Sequence, residues 1–462
     1  MPFEERYKVI GYADDVKPAI TSMEEFLLVD KAMALFERAS GCKLHRDPAN
    51  KKCKFLPLAR WRGTLQQEDI PCNYMTISDH LEMVGVELRA TWTQTRKANG
   101  DIVQQRVADM IKLWKTDKFM HLSLRSWSLN IYCFSKVFFR THSVDLRELD
   151  YSKITSTAKS WLYADMLIKP EETVLYRHAT VGGLNLLNVK MKALAGLIRT
   201  FLETACMPKF RQSLYHQLLL RYHVFGDTSI ENPGYPPFYS KEFFSVIHQV
   251  HHHTPLNVQH LSEKQWYRFL MEEKVTMELG VDGNRQLIPC RMEVKFPTYD
   301  WEKIWPRIRQ KGLGSELSSF LFKVLHDLLP TQERVARTSA SVDGLCKLCP
   351  SNVKEDLLHS LVKCSANQGI GEAVLVCLSD YVQDGVEGHE VLQLQLELDD
   401  AHELPVVWFL AVAWSSLWES RKVGRRPELY KVRADLEAKV SLLRETSHSE
   451  AAEKITSLIL KL

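Results

Sequence analysis

A stretch rich in cysteine and histidine, residues 346–364, reads Cys-Lys-Leu-Cys-Pro-Ser-Asn-Val-Lys-Glu-Asp-Leu-Leu-His-Ser-Leu-Val-Lys-Cys. Two cysteines separated by two residues let one turn supply two thiolates, and tetrahedral Zn²⁺ takes thiolate and imidazole ligands. The spacing predicts a zinc site formed by Cys346, Cys349, His359 and Cys364, the last two from a helix over 354–364 or from its end. The alternative is a group of buried free cysteines beside a surface histidine.

The composition of the whole chain is that of an ordinary globular protein. Its 462 residues are 45% hydrophobic and 25% charged, which excludes a disordered chain, a collagen-like repeat and a disulfide-dense secreted scaffold. Lys plus Arg is 60 and Asp plus Glu is 57, so the net charge of +3 neither demands nor excludes a nucleic-acid partner. The start of the chain is charged, and the apolar run 404–418 is shorter than the roughly 20 residues of a membrane span. We therefore expect an intracellular protein without membrane contact.

The hydrophobic patterns predict an α+β fold that is mostly helical. Residues 1–95 are the mixed part, with one helix and three short strands expected at 23–40, 9–15, 54–58 and 83–88. Ser22 can cap the helix, and Gly41 follows its end. This region therefore contributes the strands of the fold.

The rest of the chain divides at composition changes, the clearest being Asn-Pro-Gly-Tyr-Pro-Pro at 232–237. The expected segments are 1–95, 96–231 (helical), 238–312 (mixed), 313–370 (compact, around the cysteines) and 371–462 (C-terminal helices). In the second segment an apolar stripe at helical spacing is expected to be buried: Trp127, Ile131, Phe134 and Phe138. The basic residues off this stripe are expected on an exposed face: Arg125, Lys136 and Arg140.

An acidic pair, Asp14 and Asp15, comes after Val-Ile-Gly-Tyr-Ala at 9–13. Adjacent carboxylates repel each other unless a positive group neutralises them. Mg²⁺ prefers such oxygen ligands and leaves room for phosphate oxygens, as in two-metal phosphoryl transfer. The alternative is a solvated hairpin turn.

The stretch Tyr12-Ala13-Asp14-Asp15 resembles the catalytic box of reverse transcriptases, and the residues after this box resemble the LINE-type (non-LTR retrotransposon) branch. Four later stretches are similar to that branch, in its order: Ser40-Gly41-Cys42-Lys43-Leu44-His45, Lys52-Cys53-Lys54, Met83-Val84-Gly85-Val86 and Gly182-Gly183-Leu184-Asn185-Leu186. Leu328-Leu329-Pro330-Thr331, together with the cysteine–histidine stretch after it, resembles the zinc-binding module of the same branch. His45 and Cys53 depart from the usual Asn and Ser. The resemblance covers residues 7 to about 365.

The resemblance implies an RNA-directed DNA polymerase, a nucleotidyltransferase in which Asp14 and Asp15 hold Mg²⁺ and Lys52 or Lys54 donates a proton to pyrophosphate. It assigns 1–95 to the end of the palm, 96–231 to thumb and connector, 238–312 to a mixed connector and 313–370 to the zinc-binding module. The family has a further metal-binding aspartate, and its fingers, upstream of this box. We therefore expect a truncated retrotransposon polymerase that is inactive alone. A non-enzymatic nucleic-acid-binding protein and an inert relic of a retroelement are the alternatives.

The partners implied by the resemblance are an RNA template and a DNA primer or target DNA, in the nucleus and in cytoplasmic ribonucleoprotein. The zinc module is expected to help grip the nucleic acid. Basic residues of the thumb-like helices are the candidates for contacts with the duplex: Lys112, Lys115, Lys118, Arg125, Lys136 and Arg140. A solvated helix face is the alternative explanation for them.

Three other features favour ordinary structural roles. The histidines at 248–260 are expected at a polar helix end rather than at a metal. The tryptophans at 408, 414 and 418 are expected on a buried helix face rather than on a stacking platform for bases. The basic run 421–426 is either a solvated loop or a phosphate-binding or nuclear-localisation patch.

Overall fold

The protein is mostly helical with a few short strands, as the sequence predicts. The computed structural model describes residues 9–12, 15–43, 46–47, 49, 52–58, 61–114, 120–206, 214–234, 239, 241–253, 260–279, 290–367, 369–379, 388–392, 394–445 and 448–462. None of the helices in these ranges combines the length and the apolarity needed to cross a bilayer.

The helices of the described residues are, in chain order, α1 (Met23–Ser40), α2 (Trp92–Trp114), α3 (Leu122–Ser128), α4 (Phe134–Thr141), α5 (Glu148–Leu162), α6 (Glu172–Tyr176), α7 (Val189–Cys206), α8 (Leu214–Leu219), α9 (Lys241–His253), α10 (Glu263–Leu279), α11 (Arg291–Lys295), α12 (Trp301–Arg307), α13 (Gly314–Leu325), α14 (Gln332–Ala336), α15 (Ile370–Cys377), α16 (Gly388–Leu392), α17 (Asp400–Lys422), α18 (Leu429–Arg444) and α19 (Ser449–Lys461). The strands are β1 (Val9–Tyr12), β2 (Asp15–Pro18), β3 (Cys53–Phe55), β4 (Met75–Ile77), β5 (His80–Met83) and β6 (Val86–Arg89).

The strands form three separate pairs: β1 and β2 antiparallel, β3 and β4 parallel, β5 and β6 antiparallel. The single strand predicted at 83–88 is wrong, because Val84 and Gly85 have φ of 48° and 75° and turn the chain into a hairpin. Two consecutive positive φ values are typical of the tight turns that match the twist of paired strands. The strand predicted at 9–15 is likewise divided between β1 and β2.

Helix α1 confirms the predicted bounds and caps. The Ser22 side chain accepts a hydrogen bond from the Glu25 backbone N–H at 3.2 Å, and Gly41 ends the helix at φ 74°. Phe26 packs into a small core with Phe55 and Ile70. The opposite side of α1 exposes apolar side chains to solvent: Leu27, Leu28, Leu35 and Phe36. The N-terminal region thus buries only part of its apolar surface.

The chain forms two compact units whose segments alternate along the sequence. Unit 1 contains Met1–Arg106, Lys136–Ile154 and Val189–Met271, and unit 2 contains Val107–Ser135, Thr155–Asn188 and Glu272–Leu462. The helical core of unit 1 is aromatic and includes Phe201, Phe243, Phe244 and Trp266. The cysteine–histidine stretch lies in unit 2, together with the Gly-Gly-Leu stretch at 182–184.

A π-helical turn, Leu129–Cys133, joins α3 to α4. It inserts an extra residue per turn, so side chains before and after it that follow one helical spacing in the sequence lie on different faces. Trp127 and Ile131 are therefore exposed, whereas Phe134 is buried. Phe138 is half-buried, so the predicted burial of the stripe is correct only in part, and only after this turn.

The Gly-Gly-Leu stretch packs against α12 in unit 2. Gly182 has φ 78°, and a Cβ there would lie 2.5 Å from the Trp305 ring. A Cβ on Gly183 would lie 1.9 Å from the Arg177 carbonyl oxygen. His326 donates from Nε2 to the Gly182 carbonyl at 2.7 Å. Glycine is therefore required at both positions by close backbone approach.

A buried ion pair completes this packing. Arg177 donates two hydrogen bonds to the Glu293 carboxylate, at 3.0 and 2.9 Å. Trp305 donates from Nε1 to the same carboxylate at 2.8 Å. The pair connects the start of α11 to Arg177, the residue that follows α6.

Helix α17 is buried on all sides from Pro405 to Trp414, instead of on one face. Trp408, Trp414 and Trp418 are buried, so they are not available to stack on bases. The end of this helix brings Arg421 to the cysteine–histidine stretch.

Candidate metal centre

The four predicted zinc ligands lie together in unit 2. A backbone bridge between Leu345 and Lys354 closes the hairpin that carries the first two cysteines, and the Cys346 N–H donates to the Val353 carbonyl at 2.9 Å. The ligand atoms of Cys346, Cys349, His359 and Cys364 all lie within 4.8 Å of one another. The four residues are only 2–9% exposed.

The distances within this group fit a tetrahedral metal. Zn–S and Zn–N bonds of about 2.3 and 2.0 Å place ligand atoms about 3.5–3.8 Å apart. The Sγ atoms of Cys346 and Cys364 are 3.7 Å apart, and Cys349 Sγ lies 3.4 Å from His359 Nε2. Three thiols and an imidazole are the donor set of a structural zinc site. The residues present therefore fit Zn²⁺, as the sequence predicts.

A second π-helical turn, His359–Lys363, positions the last two ligands and differs from the helix expected over 354–364. In an α-helix, residues five apart point about 140° away from each other. A π turn closes five residues apart and returns His359 and Cys364 to one side. The Asp356 carboxylate accepts from the His359 N–H at 2.7 Å and holds the start of this turn.

Two buried charged residues, Arg421 and Glu355, form an ion pair beside Cys346. Arg421, from the end of α17, donates to Cys346 Sγ at 3.2 Å, to Glu355 Oε2 at 3.0 Å and to Asn367 Oδ1 at 3.3 Å. The other carboxylate oxygen of Glu355 accepts from the Gln332 N–H at 3.4 Å. Sequence reasoning missed Arg421, because it placed this residue in a basic run and nothing in the spacing connects it to Cys346.

The pKa values of the thiols follow from this environment. Burial raises the pKa of Cys346. Burial also acts to raise the pKa of Cys349, but hydrogen bonds from Ser351, Cys346 and His359 outweigh it and lower the pKa to about 6. This lowered pKa favours the thiolate form of Cys349, which is the form that binds metal.

The acidic pair lies largely outside the described residues. Asp14 is outside them, and of Asp15 only the backbone is described, paired with Tyr12 in the β1–β2 hairpin. Lys52 and Lys54 are exposed, and Lys54 Nζ lies 3.3 Å from His80 Nε2. The magnesium site and the proton-donor role therefore stay predictions.

The six basic candidates on the thumb-like helices differ in their exposure. Lys112 and Lys136 are exposed, while Lys115 and Lys118 lie outside the described residues. The other two differ from the expected exposed face, since both are buried: Arg125 pairs with Asp165 and the Leu162 carbonyl, and Arg140 donates to Asn99 Oδ1 at 2.8 Å. Their guanidinium groups donate hydrogen bonds to acceptors inside the protein instead of to phosphates.

Three lysines within the cysteine–histidine stretch are exposed, in contrast to the buried ligands. Lys347, Lys354 and Lys363 are exposed, although each lies within a few residues of a buried ligand. The sequence pattern does not indicate these lysines. Which residues are buried and which are exposed depends on the hairpin closed by Leu345 and Lys354 and on the π turn His359–Lys363.

Comparison with known protein families matches residues 291–370 to the family described as zinc-binding in reverse transcriptase. The match contains all four ligand residues and Glu293. A search of curated proteins gives no match. Residues 291–370 are therefore a reverse-transcriptase-related region that contains a Cys/His cluster suited to Zn²⁺.

Proposed function

We propose that this chain is part of a LINE-type reverse transcriptase and that its zinc module binds the RNA template or the target DNA. The observation that carries the proposal is the group of four buried ligand residues, whose ligand atoms lie within 4.8 Å of one another inside the matched region. A structural zinc site of this type stabilises a small fold whose surface is free to bind a partner.

The exposed lysines of the module supply the chemistry for such binding. Lys347, Lys354 and Lys363 carry positive charge at exposed positions of the stretch that holds the four ligand residues. Phosphate contacts by lysine dominate the affinity of nucleic-acid-binding proteins and make it dependent on salt. These lysines are therefore the proposed phosphate contacts.

The test is the salt dependence of binding to a fluorescent RNA–DNA duplex, measured by anisotropy on the zinc-loaded chain. Replacing Lys347, Lys354 and Lys363 by Gln should reduce the slope of log K against log salt by about 2–3. The zinc content of this triple variant should stay that of the wild type. A control triple, Lys303→Gln, Lys311→Gln and Lys431→Gln, removes equal charge from exposed positions of the same unit. Equal slopes for the two triple variants would contradict the proposed contact surface.

We also propose that the full enzyme carries out RNA-directed DNA synthesis, and the sequence resemblance alone supports this step. It assigns Mg²⁺ to Asp14 and Asp15 and a proton-donor role to Lys52 or Lys54. Because the resemblance requires a third carboxylate and a nucleotide-binding cradle, we expect residues 1–462 alone to bind a primer–template without extending it. Extension that is lost in Asp14→Asn would contradict this expectation and would show that another acidic residue of the chain completes the site. Wild-type turnover of Lys52→Ala and Lys54→Ala in a catalytically competent enzyme would remove the lysine role.

A further inference from the structure

The end of α17 places a positive charge directly beside the thiols. The side chains of Arg421 and Glu355 are 3% and 8% exposed, and they are joined at 3.0 Å. Burying a guanidinium is costly unless its positive charge is paired with a negative group and held by hydrogen bonds. Here the guanidinium has a thiol sulfur, a carboxylate and an amide oxygen as acceptors.

The charge of the loaded centre explains this placement. Zn²⁺ with three thiolates and a neutral imidazole has a net charge of about −1. In a buried site this excess negative charge is destabilising unless a cation lies close to it. Arg421 supplies a cation at 3.2 Å from one of the sulfurs, and it shares this cation with the Glu355 carboxylate.

We propose that Arg421 is a positioning residue of the zinc centre, supplied by a helix outside residues 291–370. It orients Cys346 through an N–H···S hydrogen bond, fixes Glu355 at the edge of the hairpin and offsets part of the zinc–thiolate charge, because its own charge is shared with the Glu355 carboxylate. The inference rests on the zinc site of the proposed function and adds that α17 is part of that site. Zinc binding and the docking of α17 therefore stabilise each other.

Two variants and one control test the role of Arg421. Arg421→Gln removes the charge and keeps a hydrogen-bond donor, whereas Arg421→Lys keeps the charge and loses the planar fork. Arg425→Gln is the control, since it removes an exposed arginine of the same basic run. Zinc affinity is measured on the full chain by competition with a chromophoric chelator, and helix content by circular dichroism.

Loss of an outer-sphere partner weakens metal binding roughly 10–100-fold. We expect that loss for Arg421→Gln, a smaller loss for Arg421→Lys and wild-type affinity for Arg425→Gln. A Co²⁺-loaded sample adds a readout that a purely structural role would not move. Without the positive charge beside it, the Cys346 thiolate donates more strongly to the metal, so the charge-transfer band of Arg421→Gln should shift to lower energy.

The outcomes separate the two proposals. A wild-type chain that binds no zinc overturns both of them. A wild-type chain that binds zinc, with unchanged affinity and an unchanged Co²⁺ band in Arg421→Gln, overturns only the role of Arg421. If Arg421→Gln does not fold, Arg421→Lys decides: weaker zinc binding at wild-type helix content supports the role, and unchanged affinity overturns it.

Discussion

Unit 2, which carries the candidate zinc centre, and the N-terminal region, residues 9–89, hold their charged groups in different ways. In unit 2, Arg177 and Glu293 are 8% and 13% exposed, and the Glu293 carboxylate also accepts from Trp305 Nε1. In the N-terminal region, Arg46 and Asp30 form a pair at 2.9 Å in which both side chains are 30% exposed. Water competes for the second pair and not for the first, so similar distances represent very different contributions to stability.

The two regions also differ in how they bury apolar surface. Helix α17 is enclosed over most of its length, whereas α1 leaves Leu28 65% exposed. The hydrophobic contribution scales with the area removed from water. We therefore expect substitutions of the same type to be costly in unit 2 and tolerated in the N-terminal region.

The largest difference is expected for the ion pairs. Glu293→Gln leaves the Arg177 guanidinium buried without its counter-charge, which should lower the free energy of unfolding by about 3–5 kcal/mol. Asp30→Asn, the matched change in the N-terminal region, should cost about 0.2–1 kcal/mol. Urea unfolding followed by circular dichroism measures both. Similar costs would remove the distinction between the two regions.

A second comparison uses leucines. Leu321 in α13 is fully buried, and Leu321→Ala should cost about 2–5 kcal/mol through lost contacts and a cavity. Leu28→Ala removes a side chain that is already in water, so the change should stay within about 0.5 kcal/mol. Urea unfolding followed by circular dichroism measures the change in the free energy of unfolding for both variants. A cost above about 2 kcal/mol for Leu28→Ala, the range of a buried leucine, would mean that a partner covers α1 in solution.

Two glycine-to-alanine substitutions distinguish the cost of steric crowding from the cost of backbone strain. Gly182→Ala adds a Cβ 2.5 Å from the Trp305 ring at φ 78°, so overpacking and strain together should cost about 2–4 kcal/mol. Gly63→Ala has a similar φ of 77° but open space around the Cβ, so only the strain of about 1–2 kcal/mol remains. Thermal unfolding of both variants gives the difference. Equal losses would show that Trp305 moves aside freely.

The pH dependence of stability should report on His326. Burial lowers the pKa of His326 to about 4, so the folded protein keeps the ring neutral while the unfolded chain takes up a proton near its usual pKa of about 6.5. Its contribution is therefore complete above about pH 6.5 and is lost as the pH falls toward about 4, by up to about 3 kcal/mol. His326→Gln keeps a donor for the Gly182 carbonyl and should flatten the stability profile in this window. An unchanged profile would contradict the assignment.

The parts of the molecule that the sequence predicts are those with local causes. Ser22 and Gly41 bound α1 through hydrogen bonds and backbone conformations that depend on a few neighbouring residues. The four zinc ligands lie within one short stretch, so their spacing alone indicates the chemistry.

The parts that the sequence does not predict depend on the phase of the helix or on distant packing. The π turn at 129–133 changes the face on which Trp127 lies, and a constant helical period cannot show it. Arg421 reaches Cys346 across 75 positions of sequence. Arg125 and Arg140 are buried because Asp165 and Asn99 accept their hydrogen bonds, and neither acceptor is visible in the spacing.

Zinc content is the most direct test of the metal centre. Metal analysis of purified residues 1–462 should give about one zinc per chain, since the four ligands form one tetrahedral set. Cys346→Ser should lose it, while Cys42→Ser, which changes an exposed cysteine of the N-terminal region, should keep it. A zinc-free wild type, or a Cys346→Ser variant with unchanged zinc, would contradict the assignment of the four ligands.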